Sequence, residues 1–66
     1  MKLFQYAVIL HPTEEERKAG GVSIIVIPVT AVLARDQQGA ILEAARDIPE
    51  EYMDRKDRLE VAVRPF

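Results

Sequence analysis

The sequence predicts a small α+β domain in which a three-stranded sheet carries one helix on one face. Two apolar runs, residues 2–10 and 22–34, have the β-branched and aromatic content that is typical of strands. A third run, residues 58–64, alternates apolar and polar residues, whereas residues 37–47 repeat apolar residues at helical spacing. The order strand, strand, helix, strand fits a single domain over residues 1–66.

The first strand is apolar on both of its faces. One face carries Phe4, Tyr6, Val8 and Leu10, and the other carries Leu3, Gln5, Ala7 and Ile9. A strand exposed on one side would instead alternate apolar with polar residues. We therefore expect this strand to be central in the sheet or covered on both sides.

The charged segment 11–21 joins the first two strands and is predicted to be a loop. Pro12 ends the first strand because proline cannot donate a hydrogen bond to a sheet. Thr13 also resembles the start of a helix, with Glu16 at the spacing of a capping box. Since such a helix would hold only about one or two turns, a charged loop is the favoured interpretation.

The second strand contains Pro28, which cannot lie in the middle of a fully paired strand. Pro28 therefore indicates an edge, a bulge or a bend, and the strand is expected to continue from Thr30 to Leu33. Simple alternation places Ile25 and Ile27 on the same face. We expect this strand to pair antiparallel with the first.

A helix over residues 37–47 is expected to begin at Asp36, which is a favoured capping residue. Its apolar stripe consists of Ala40, Ile41, Ala44, Ala45 and Ile48. Pro49 stops the helix and suits the first position of a further short turn. The third strand follows over residues 58–64.

Candidate chemical groups are few, and we predict a non-enzymatic protein without catalytic, metal-binding or cofactor-binding residues. The chain has no Cys, and His11 is its single His, which excludes disulfides, thiolate metal sites and multi-histidine sites. His11 is interpreted as a turn residue. The carboxylates are interleaved with basic residues, a pattern typical of a solvated surface. Gly20 and Gly21 are more typical of a turn than of a phosphate-binding loop.

Nucleic acid and membrane are not expected as partners. The net charge is -2, without the clustered basic residues of a nucleic-acid footprint. Phe4 and Tyr6 share a strand face and could stack on bases, which leaves single-stranded nucleic acid as an alternative. Residues 22–34 are too short to span a bilayer as a helix, which needs about 20 apolar residues.

One helix covers one face of the sheet, so the second apolar face or a strand edge is expected to contact another protein chain. Burying a Val, Ile or Phe contributes about 1.5–3 kcal/mol, and large exposed apolar patches usually mark interaction sites. The residues predicted to form this interface are Phe4, Tyr6, Val8, Ile25, Ile27, Arg64 and Phe66. In the alternative, the charged loop and Phe66 fold over that face; Phe66 itself could enter a neighbour's pocket or close this domain's own core.

The segment AARDIPEEYMDRKDRLEVAVRPF resembles a group of small uncharacterised proteins encoded by tailed bacteriophages. The resemblance lies in a helix ending in AAR, the IPEEY motif, a charged turn and a strand ending in VAVRPF. It covers about the last third of the chain, with a looser likeness in the FQYAVIL start. The motif implies no catalytic residues.

The resemblance implies a phage protein, located in the virion or in the host cytoplasm. Combined with the apolar second face, it leads us to expect a structural or interaction protein, such as a capsid decoration or cement component. Its partner would be a second copy of itself or a larger phage assembly. The alternative is a small intracellular modulator or inhibitor that binds a host protein.

Overall fold

The computed structural model describes residues 1–66 and has the predicted α+β fold. Its elements are β1 (Lys2–Leu10), α1 (Glu14–Lys18), β2 (Ile24–Ala34), α2 (Gln37–Arg46), a 3-10 segment (Glu50–Arg58) and β3 (Leu59–Pro65). The three strands form one antiparallel sheet in the order β2-β1-β3. Of the two alternatives for the first strand, the structure shows the central position, and the predicted antiparallel pairing of β1 with β2 is confirmed.

Helix α2 packs on one face of the sheet, which we call the covered face. The buried residues of the domain are Phe4, Tyr6, Val8, Leu10, Ala34, Ala40 and Ala44. Ala40 and Ala44 are fully buried, and their small side chains let the helix lie close to the strands. Asp36 caps the helix as predicted, since its Oδ1 accepts a hydrogen bond from the Gly39 N–H at 2.8 Å.

Tyr6 fastens the C-terminal end of α2 to the sheet. Its hydroxyl donates a hydrogen bond of 2.7 Å to Oδ2 of Asp47, the residue that follows the helix. This bond to a carboxylate, together with burial and the nearby negative charges of Asp47 and Glu43, raises the pKa of Tyr6 to about 12. The neutral phenol is therefore the form that the fold stabilises.

The prediction that Phe4, Tyr6 and Val8 contact a partner is wrong. These side chains are only 5%, 3% and 0% exposed, because α2 lies on them. The helix covers the face of β1 that carries its bulkier apolar side chains, since burial of those side chains stabilises the domain most. The opposite face, which contains Gln5, is the one without a helix.

Two register shifts in β2 overturn the simple alternation around Pro28. Between Thr30 and Ile27, and again between Ile27 and Ile25, β2 has one more residue than β1. Ile27 therefore lies opposite Val8 and packs, partly buried, against the core on the covered face, whereas Ile25 lies on the opposite face. The prediction of an irregular edge strand that continues beyond Pro28 is confirmed.

The segment 11–21 contains the short helix α1 rather than only a loop. Thr13 Oγ1 accepts from the Glu16 N–H at 3.1 Å, and Glu16 Oε1 accepts from the Thr13 N–H at 2.9 Å. This capping box outweighs the short length of the helix, so the helical alternative is correct. Gly20 follows with a φ of 93°, which favours glycine and reverses the chain direction towards β2.

Candidate interaction surface

The face of the sheet opposite α2, which we call the open face, is the candidate functional surface. Its residues are Leu3, Gln5, Ala7 and Ile9 of β1, Ile25, Val29, Ala31 and Leu33 of β2, and Glu60, Ala62 and Arg64 of β3. Helix α2 packs on the opposite side of the sheet, and the apolar residues of the open face are concentrated on β1 and β2. The surface is therefore an ordered, mostly apolar patch.

Four large apolar side chains of the open face are accessible to water. Leu3 is 40% exposed, Ile25 68%, Val29 63% and Leu33 60%. Phe66 is 71% exposed as well. The alternative in which the charged loop and Phe66 shield this face is therefore wrong, and the apolar surface that the sequence predicted remains uncovered by the chain itself.

A shallow hollow of about 440 Å³ lies on the open face beside β3. Its walls include Gln5, Ala7, Val29, Ala62 and Arg64. The hollow exists because the alanine side chains in its lining are small. At its border, Arg64 Nε donates a 3.0 Å hydrogen bond to Gln5 Oε1. A partner would thus meet an apolar floor with polar groups on the β3 side.

A polar cluster at one end of the sheet joins all three strands. His11 follows β1, Ser23 precedes β2 and Glu60 lies on β3. His11 Nε2 lies 2.6 Å from Glu60 Oε1, and His11 Nδ1 lies 2.9 Å from Ser23 Oγ. Because a carboxylate can only accept, Nε2 carries the proton, and in the neutral ring Nδ1 accepts from the Ser23 hydroxyl.

The sequence interpretation of His11 as an isolated turn residue missed this cluster. Serine, imidazole and carboxylate in a row are also the order of groups in hydrolytic triads. In the triad of serine proteases, however, the serine contacts Nε2 and the carboxylate contacts Nδ1, the reverse of the arrangement here. The His11 side chain is 38% exposed and that of Glu60 56%, so both lie at the surface.

An ion pair lies next to this cluster and holds α1 against the end of the 3-10 segment. Arg58 Nη1 donates to Glu16 Oε1 at 2.7 Å and to the His11 carbonyl oxygen at 3.3 Å. The hydrogen bond from the Thr13 backbone and the charge of Arg58 hold the pKa of Glu16 below its usual value. Glu16 thus serves both the capping box and the contact to Arg58 at the end of the 3-10 segment.

The structure distributes the predicted interface residues over three places. Ile25 and Arg64 lie on the open face, Phe66 lies exposed beyond the end of β3, and the other four lie in or against the core. Sequence reasoning missed Leu3, Val29 and Leu33 as members of the exposed surface. Gln5 was the available signal, because a polar residue in an otherwise apolar strand marks the face that the helix leaves free.

Comparisons with protein-family models, with curated proteins and with solved structures find no match for this chain. None of its helices has both the length and the apolar character needed to cross a membrane.

Proposed function

We propose that this protein is a non-enzymatic structural protein that joins a larger protein assembly through its open face, as an accessory component of a bacteriophage particle. The observation that carries the proposal is the ordered row of exposed apolar side chains on the open face, formed by Leu3, Ile25, Val29 and Leu33. An exposed patch of this kind on a folded sheet is typical of a protein-binding surface.

The energetics favour a permanent partner for this face. Between 40% and 68% of each of the four side chains is still exposed, so covering that remaining surface would contribute about 0.6–2 kcal/mol each before the cost of association. That sum is comparable with the whole stability of about 5 kcal/mol that a small domain commonly has. Burial of this surface would stabilise the protein throughout the lifetime of a permanent assembly, but only briefly in a transient complex.

The phage context of the proposal is supported by the resemblance of residues 44–66 to small phage proteins. In the structure these residues form the end of α2, the 3-10 segment and β3. They support the open face from one side through the pairing of β3 with β1. The runner-up, a modulator that binds a host protein, would use the same face.

Purified phage particles provide the direct test. We expect the protein in particles at a fixed copy number, as measured by quantitative mass spectrometry. Ile25→Asp should abolish incorporation, since it places a charge on the apolar patch. Leu42→Asp is the matched control, because Leu42 is 64% exposed on α2, away from the open face, and its incorporation should be unchanged.

Three results would overturn the proposal. The protein could be absent from particles, Ile25→Asp could incorporate as well as Leu42→Asp, or a single host protein could be retained stoichiometrically in pull-downs from infected cells. The last result would establish the host-directed alternative instead. Circular dichroism of both variants ensures that the comparison concerns folded protein.

A hydrolytic function is the second candidate, and the contact of Ser23 with His11 and Glu60 is the observation that favours it. In such an activity Ser23 Oγ would attack an ester or amide carbonyl while His11 Nδ1 accepts its proton. The bond to the alcohol or amine would then break as His11 returns the proton to that leaving group, and water would hydrolyse the resulting acyl-serine. A fluorophosphonate probe tests this directly. Labelling that disappears in Ser23→Ala would support a hydrolase, whereas an unlabelled folded protein would exclude a reactive serine.

A further inference from the structure

We propose that a second copy of this chain pairs with the outer edge of β3, antiparallel and around a two-fold axis at Ala62. The strand order leaves β3 with β1 as its single neighbour. This inference concerns the strand edge and does not depend on the function proposed for the open face. It is carried by the free backbone groups of β3 and by the charges along it.

The backbone groups of β3 alternate between β1 and the free edge. The Phe66 N–H donates to the Leu3 carbonyl oxygen at 3.0 Å, and the His11 N–H donates to the Arg58 carbonyl oxygen at 2.9 Å. Since hydrogen-bonded pairs alternate along an antiparallel ladder, every second residue from Arg58 to Phe66 faces β1. The residues between them, including Val61 and Val63, direct their backbone groups outward.

Val61 and Val63 carry the free N–H groups of this edge. At one end, the Leu59 N–H already donates to the Lys56 carbonyl oxygen. At the other end, Pro65 has no N–H. If Val61 lies opposite Val63 of the second copy, each copy donates two hydrogen bonds to the other, and the free donors of both edges are satisfied.

The same register makes the side chains complementary. It places Ala62 opposite Ala62 of the second copy in a non-hydrogen-bonded pair, where the Cα atoms of antiparallel strands approach to about 4.5 Å. It also places Glu60 opposite Arg64 of the second copy, twice by symmetry. Opposite charges in directly facing positions stabilise a strand pair.

Both charged side chains have atoms left for this contact. Glu60 uses Oε1 for His11, and Arg64 uses Nε for Gln5. The second carboxylate oxygen of Glu60 and the terminal guanidinium nitrogens of Arg64 remain for the second copy.

Other registers fit less well. A two-residue slip in one direction would place Arg64 opposite Arg58 of the second copy, which brings like charges together. A slip in the other direction places Arg64 opposite Ala62 of the second copy and Glu60 opposite Phe66, so that neither charge faces an opposite charge. One-residue slips would set outward-facing backbone groups against inward-facing ones. Among the registers that satisfy the free N–H groups of Val61 and Val63, only the one around Ala62 pairs both charges.

The other edge of the sheet is a poorer template. β2 contains Pro28 and two register shifts, and such features interrupt regular pairing with another strand. β3 pairs with β1 in one continuous register from Leu10–Leu59 to Phe4–Pro65. A two-fold axis perpendicular to the sheet would place both α2 helices on one side and join the two open faces on the other.

Single-cysteine variants test the axis, because the chain has no native Cys. Ala62→Cys should form a disulfide-linked dimer on mild oxidation, since the expected Cα separation lies within the disulfide range of about 4.4–6.8 Å. Ala31→Cys is the matched control, an exposed alanine of the open face on β2. It should cross-link at least about tenfold more slowly.

Charge reversal tests the register. Glu60→Arg or Arg64→Glu alone should weaken dimerisation about tenfold in sedimentation experiments, because each faces a like charge across the axis. The double variant should recover affinity to within about threefold of the original chain. Glu43→Arg makes the same charge change on α2 and should leave the affinity unaltered.

Each alternative outcome of these experiments contradicts the proposal. It is overturned if the original chain stays monomeric at millimolar concentration, if Ala62→Cys cross-links no faster than Ala31→Cys, or if the double charge reversal dimerises as weakly as the single ones. A result in which the protein dimerises but is not incorporated into particles would contradict the function proposed for the open face and leave the β3 dimer intact. The two proposals therefore fail separately.

Discussion

The two faces of β1 differ in burial although they alternate along the same nine residues. The covered face carries Val8 at 0% exposure beneath α2, whereas the open face carries Leu3 at 40%. Both faces are largely apolar in sequence. The comparison shows that apolar character alone does not say which face of a strand becomes the core; the placement of a single helix decides it.

The largest expected difference in stability between the two faces comes from substituting one residue on each face by aspartate. Val8→Asp should prevent folding, because it buries an uncompensated carboxylate in the centre of the core. Ile25→Asp should change the free energy of unfolding by only about 0.5 kcal/mol, as is usual at exposed positions. Circular dichroism and urea titration measure both. A folded Val8→Asp variant, or an unfolded Ile25→Asp variant, would contradict the assignment of the faces.

A smaller difference in the free energy of unfolding is expected between leucine substitutions at two neighbouring alanines of α2. Ala44 is fully buried against the sheet, while Ala45 is exposed. Ala44→Leu should lower the free energy of unfolding by about 1–3 kcal/mol through overpacking. Ala45→Leu should leave it nearly unchanged because leucine is also a good helix former. Equal stabilities in thermal or urea unfolding would mean that the helix does not approach the sheet as closely as described.

The smallest effect is expected at the bond that holds α2 on the covered face. Tyr6→Phe should lower the free energy of unfolding by about 1–2 kcal/mol at neutral pH, through loss of the hydrogen bond to Asp47. Asp47 is exposed and can recover water as a partner, which limits the cost.

The same hydrogen bond makes the free energy of unfolding depend on pH in the alkaline range. The folded state raises the pKa of Tyr6 to about 12 from its ordinary value of 10.0. The stabilisation is therefore fully present below pH 10 and is lost as the pH rises towards 12. Urea titrations across this range should show a decline in the original chain that Tyr6→Phe lacks. A parallel decline in both would assign the alkaline loss to other groups.

Several features of the fold followed from local patterns. Asp36 was identified as a cap because its side chain satisfies a free N–H of the first helical turn, a contact between residues three apart. Pro28 marked the irregular edge strand because its missing N–H excludes a regular central position. The capping box of Thr13 and Glu16 was also visible in sequence, although the short helix it starts was not the favoured interpretation.

The errors arose where distant parts of the chain decide the outcome. Ile27 changed face because the two register shifts are set by the pairing of β2 with β1, not by the sequence of β2 alone. The contacts of His11 with Ser23 and Glu60 were missed since these residues are brought together only when β3 pairs beside β1.

The sequence by itself determined the order of the three strands and α2, the irregular course of β2 and the presence of more apolar strand surface than one helix can cover. These properties follow from residue periodicity and from the hydrogen-bonding limits of proline. Only the tertiary structure decided which face α2 covers, which residues form the open face and which backbone groups of β3 remain free. These three features depend on contacts between residues that are far apart in the chain. A local sequence pattern does not specify such contacts.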